Sequence, residues 1–201
     1  MDLRFSHPSN VLVCAPSGGG KTHLVKRVVE NRYNMFNVSF VKVVWYYSEY
    51  QGAYDELAQK HGVEFIEGAP SMDHFPSGEK PKLVIVDDFL DQIKNPEFLK
   101  NCDKGVSPSK FEFLAHYVIL LKSPRDIQQI RTLALQVDPA NWRGMLEAYL
   151  DATQEGHSYI LFDFHVRQQD HLRLRTHIFP GENTVVYIPN GKYKKSLIFQ
   201  K

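Results

Sequence analysis

Short apolar runs alternate with amphipathic stretches along this chain, the pattern of an α/β protein. Residues 11–14 (VLVC) form a continuous apolar run and predict a strand, and residues 22–31 behind them predict a helix. Residues 40–47 (FVKVVWYY) are β-branched and aromatic and read as a second strand. A short helix over 52–61 and a brief strand over 63–67 follow, and then a loop over 68–81 rich in Pro, Gly and Ser. Residues 82–86 (KLVIV) read as a strand buried on both faces of a parallel sheet. Residues 117–121 form another apolar run, stopped by Ser123-Pro124. Helices are expected over 127–137, ending before Pro139, and over 142–153. Strands are expected over 157–165 and 172–179, and one short strand with a basic stretch within 185–200. These elements predict a mostly parallel central sheet flanked by helices, in a single domain over 1–201 with a short basic extension over 181–201.

The turn between the first strand and the first helix carries the clearest chemistry. Ala15-Pro16-Ser17-Gly18-Gly19-Gly20-Lys21-Thr22 fits the phosphate-binding loop pattern, with Ala15 where the first glycine usually stands. Glycines lack a β-carbon, so their backbone can approach a ligand closely. The N–H groups of Gly18, Gly19 and Gly20 would converge on a polyphosphate at the positive end of the following helix, with Pro16, Ser17, Gly18, Gly19, Gly20, Lys21 and Thr22 as the binding residues. Lys21 would reach the β- and γ-phosphates as a point charge, and the Thr22 hydroxyl would bind Mg²⁺.

The strand over 82–86 ends in Asp87 and Asp88, at the edge where open α/β sheets bind ligands. Asp87 suits a metal-holding role, through water, as in a Walker B strand. Asp88 suits activation of an attacking water, and equally the N-cap of a helix starting near Phe89.

The bulk composition narrows the class without naming a partner. At 201 residues and 43% hydrophobic, the chain is long enough to bury one substantial core. A formal net charge of +1 does not advertise nucleic-acid binding, so a DNA partner would need a local basic stripe. Two cysteines, Cys14 and Cys102, make a disulfide framework improbable and a reducing compartment the default. Nine scattered histidines and no CxxC predict no structural zinc. No apolar stretch approaches membrane-spanning length and the N-terminus lacks a signal-peptide pattern, so an intracellular, non-secreted protein without a membrane partner is expected.

Other residues admit two readings each. Trp45, Tyr46 and Tyr47 could stack on a base or pack a core. Arg125 could serve as an arginine finger or stand as a solvated residue opening a helix. Arg173 and Arg175 alternate (LRLR), so on a strand they would share one face and could touch a phosphate backbone. Lys192, Lys194 and Lys195 form a small basic patch with Tyr193, or a solvated tail.

Taken in order, the runs APSGGGKTHLV, LVIVDDF, AHYVILLKSPRDIQQIRTLALQV, EAYLDAT and LRLRTHIFP resemble the viral genome-packaging ATPases of adenovirus-like and Polinton/adintovirus-type elements. The resemblance runs from about Asn10 to Pro180. That family belongs to the FtsK–HerA branch of the P-loop NTPases. The resemblance implies ATP and Mg²⁺ as cofactors, and hydrolysis coupled to driving double-stranded DNA into a preformed capsid. It further implies a homo-oligomeric ring, capsid or portal partners, and action in the host nucleus or at the site of virion assembly. Carried over, Lys21 and Thr22 bind phosphate and Mg²⁺, Asp87 the metal, and Asp88 takes the place of the catalytic acid.

The chain departs from the family in one respect. Relatives carry a further strand with a polar Gln/Asn sensor between the acid-tipped strand and AHYVIL. Between Asp88 and Ala115 this chain has no apolar strand ending in such a residue. Loss of that central strand would open the sheet and strand backbone groups, each costing about 1–3 kcal/mol if buried. Residues 111–121 are the run able to take its place. Two rival functions follow: a degenerate nucleotide-binding protein without turnover, and a small-molecule phosphotransferase. The latter needs an arginine-rich lid, for which residues 125–131 are a poor match.

Overall fold

The structure, a computed structural model, describes residues 2–68, 80–87, 115–188 and 194–198. The chain divides into two compact units, one of Met1–His7 with Lys26–Leu114, the other of Pro8–Val25 with Ala115–Lys201.

In the first unit, β2 (Lys42–Tyr47) is the middle of a three-stranded parallel sheet, between β3 (Val63–Glu67) and β4 (Lys82–Val86). The register sets Val44 beside both Glu64 and Val84. Val43, Val44, Trp45 and Tyr46 are all buried, so both faces of this strand are covered, as the unbroken apolar run predicts. Helix α3 (Ala53–His61) buries Tyr54 and Leu57, one helical turn apart. Tyr54 stacks on Phe65 with ring centroids 4.5 Å apart and lies 5.6 Å from Trp45. Trp45 and Tyr46 are therefore core residues and offer no face to a base.

The second unit holds a six-stranded sheet in the order β1-β5-β6-β7-β8-β9. Its strands are β1 (Val11–Cys14), β5 (Tyr117–Leu121), β6 (Tyr159–Asp163), β7 (Leu174–Thr176), β8 (Thr184–Ile188) and β9 (Lys194–Ile198). Helix α1 (Lys21–Glu30) follows β1; its residues from Lys26 on, and the single turn α2 (Arg32–Met35), count with the first unit. Helices α4 (Ile127–Val137) and α5 (Trp142–Ala152) pack on the sheet. Ile130, Ala134, Met145, Ala148 and Tyr149 meet Val118, Leu120, Ile160 and Phe162 in this core. Each large side chain so buried contributes about 1.5–3 kcal/mol of transfer free energy.

The α/β class and most of the strands and helices stand as the sequence predicts, but the sheet does not. Only β1 and β5 pair in parallel in the larger sheet, and its other pairings are antiparallel. From β7 onward the connections are too short to cross over, which requires antiparallel neighbours. Residues 185–200, expected to hold one strand, contribute to the two paired strands β8 and β9. The segment set apart as a basic extension thus supplies part of the sheet. Of the run over 111–121, residues Tyr117–Leu121 form β5, which pairs directly with β1. The stretch between Asp88 and Ala115, where the sensor strand is missing from the sequence, lies outside the described residues, as does the helix expected near Phe89. Among the described residues, no helix is long and apolar enough to cross a membrane.

Candidate functional site

β1 delivers the chain into the glycine-rich loop at the edge where β1 and β5 both end. Gly18 and Gly20 hold φ values of +72° and +94°, a region that β-carbon-bearing residues rarely enter. The Gly19 N–H donates to the Pro16 carbonyl at 2.9 Å, closing the turn, and the Leu24 N–H donates to the Gly20 carbonyl at 2.9 Å, starting α1. Lys21 Nζ donates to the Ala15 carbonyl at 3.2 Å and so lies back across the loop. Thr22 occupies the first helical turn and is half-buried, while Ser17 and Gly18 are exposed. No acidic residue stands in that turn, so the positive end of the α1 dipole is not neutralised locally.

This arrangement fits a phosphate group. A helix N-terminus offers backbone N–H groups to an anion, and Lys21, bonded to the Ala15 carbonyl, stands beside it. The Thr22 hydroxyl could give Mg²⁺ one oxygen, and the ion would take its remaining ligands from a carboxylate, phosphate and water. Among the described residues, no three His, Cys, Asp or Glu side chains gather as a metal site of their own.

A histidine that the sequence does not single out lies against this loop. His157 adopts φ +63° in the turn before β6, and a β-carbon on Gly20 would sit 2.8 Å from its Nδ1. The turn is tied down on both sides. Lys122 Nζ donates to the Gln154 carbonyl, the Lys122 N–H to the Ser158 carbonyl at 3.1 Å, and Ser158 Oγ to the Glu155 carbonyl at 2.7 Å. The loop and the turn are distant in sequence, so no local motif announces their meeting.

The remaining predicted residues fall in several places. Asp87 directly follows β4 in the first unit, half-buried, and its N–H donates to the Tyr46 carbonyl at 3.0 Å. Asp88 lies outside the described residues, with Lys192 and Tyr193. Lys195 is paired with Asp151 at 3.0 Å, and Asp151 also accepts from the Tyr187 hydroxyl at 2.7 Å. Arg125 is exposed in the turn after β5, in which Ser123 Oγ donates to Asp126.

Arg173 and Arg175 do not form the shared exposed face their alternation suggests. Arg173 precedes β7 in helical conformation (φ −71°, ψ −30°). Its guanidinium donates to Asp170 Oδ1 at 2.8 Å and to the carbonyls of Asp163 and His165 at 3.1 and 3.3 Å. Arg175 is 0% exposed and donates to Asp163 Oδ2 at 2.7 Å. Arg175 therefore presents no donor to a DNA backbone, because the strand's two faces are both covered. No family model, curated protein or solved structure matches this chain.

Proposed function

We propose that this chain is a P-loop ATPase that binds Mg-ATP through residues 15–22 and couples its hydrolysis to moving double-stranded DNA, in the manner of the viral packaging motors its motifs resemble. The observation that carries the reading is the loop itself: left-handed Gly18 and Gly20, a helix N-terminus without local acids, and Lys21 laid across the loop. Bound Mg²⁺ would neutralise charge developing on the phosphates. The loop N–H groups orient the polyphosphate, Lys21 offsets its charge, and the Thr22 hydroxyl offers the metal an oxygen. From sequence, Asp87 is assigned to the metal and Asp88 to the attacking water. A ring of several copies acting on a capsid or its portal, in the host nucleus or at the assembly site, completes this reading, because one subunit cannot encircle a duplex.

Steady-state ATP hydrolysis with and without double-stranded DNA tests it, beside Lys21→Ala and Asp88→Asn. DNA-stimulated turnover abolished by both substitutions supports the motor. Hydrolysis indifferent to DNA sinks it.

One feature of the sequence favours a second reading, a nucleotide-binding protein without turnover: between Asp88 and Ala115 there is no apolar run ending in a Gln or Asn sensor. Tight ATP binding with no turnover above the Lys21→Ala background would select this reading.

A further inference from the structure

The loop motif accounts for Lys21 and Thr22 but not for the histidine seated beside them. We propose that His157 is a phosphate-contacting residue of this site, its imidazole N–H hydrogen-bonding to the same polyphosphate that the loop cradles. The inference rests on the phosphate-binding reading above and adds to it a residue from a distant turn.

Backbone strain is the first support. His157 holds φ +63° although Gly156, directly before it, could take a left-handed conformation at little cost and is not among the glycines that do. A strained φ at a residue bearing a β-carbon persists only where the surroundings over-determine it, and such positions gather at ligand sites. The pins from Lys122 to Gln154 and Ser158, and from Ser158 to Glu155, supply that determination.

Proximity is the second. Nδ1 occupies space that any side chain at Gly20 would need, so the ring lies against the residue immediately before Lys21. His157 is nevertheless exposed, which leaves the imidazole accessible to a ligand.

The third is charge. Among the described residues, the ionisable groups on the elements around the ring are Lys21, His23, Lys26, Arg27 and Glu30 of α1, Lys122, Arg125 and Asp126 after β5, and Glu155 of its own turn. Cationic or cation-capable groups outnumber carboxylates there six to three, which suits an anion. An imidazole presents one N–H donor when neutral and two when protonated, so it can serve a phosphate oxygen in either form.

Inorganic tripolyphosphate binding, measured by calorimetry on the whole chain, tests this with Lys21→Ala and His157→Gly. Glycine accepts φ +63° without strain, so His157→Gly should raise the thermal midpoint while weakening tripolyphosphate binding by about tenfold. A merely structural histidine would not separate the two readouts in that way. Unchanged affinity in His157→Gly, with Lys21→Ala impaired, would overturn the role of His157 and leave the loop reading standing. Failure of the wild-type chain to bind, or undiminished binding by Lys21→Ala, would instead overturn the loop reading and this inference with it.

Discussion

Arg175 Nη2 and Asp163 Oδ2 stand 2.7 Å apart across β6 and β7, with both side chains 1% exposed. Asp163 also accepts from Gln168 Nε2 at 2.8 Å and from the His165 N–H at 3.1 Å. Burial pulls the Arg175 guanidinium below its ordinary value, and the neighbouring Asp163 carboxylate opposes that shift. Among the described residues, Arg175 Nε and Nη1 find no hydrogen-bond partner, so the charge depends on Asp163. Asp163→Ala should lower stability by about 3–5 kcal/mol, because it leaves a buried charge unpaired. The double change Asp163→Leu with Arg175→Met should cost less than that single one. Urea unfolding of the three chains measures the difference.

Gly18 and Gly20 separate backbone strain from crowding. A β-carbon at Gly18 meets nothing within 4 Å, so Gly18→Ala should cost about 1–2 kcal/mol from its left-handed φ alone. Gly20→Ala adds a contact at 2.8 Å with His157 Nδ1 and should cost more. Because the two residues touch, His157→Gly should recover part of that loss, and a double-mutant cycle by thermal unfolding should give a coupling above ~0.5 kcal/mol.

Tyr149 secures the bend that leaves β5. Its buried hydroxyl accepts from the Ser123 N–H at 2.9 Å and donates to the Leu121 carbonyl at 3.2 Å. Tyr149→Phe keeps the ring but leaves buried backbone groups unserved, a loss of about 1–3 kcal/mol. Hydrogen exchange should then quicken at the Ser123 amide.

Acid should reach the first unit through Glu56. Hydrogen bonds from Lys26 and Lys60 hold its carboxyl down at about 2, against an ordinary 4.5. A carboxylate depressed on folding stabilises the protein above its unfolded value, and that contribution fades as pH falls through the folded one. The stability gap between wild type and Glu56→Gln should therefore be full above about pH 4.5 and close toward about pH 2. Glu56 and Lys60 are exposed and Lys26 is half-buried, so added salt should shrink the gap throughout, which urea midpoints at two ionic strengths would read.

The sequence by itself determined what depends on neighbours along the chain. The VLVC run, the glycines behind it and the amphipathic residues that follow read directly as strand, loop and helix, and these are β1, the Gly18–Gly20 turn and α1. The apolar runs KVVWYY and YVILL read equally well as strands, because a strand covered on both faces needs no alternation. Tertiary structure decided which strands pair. A parallel and an antiparallel partner make the same demand on an apolar run, so the split into a three-stranded and a six-stranded sheet left no mark in local pattern. It also decided the fate of Arg175, whose alternation with leucines fits an exposed strand face until Asp163 meets it from the next strand. His157 is the same case at the candidate site: its place beside Gly20 is a contact between distant segments, and only folding brings such segments within reach.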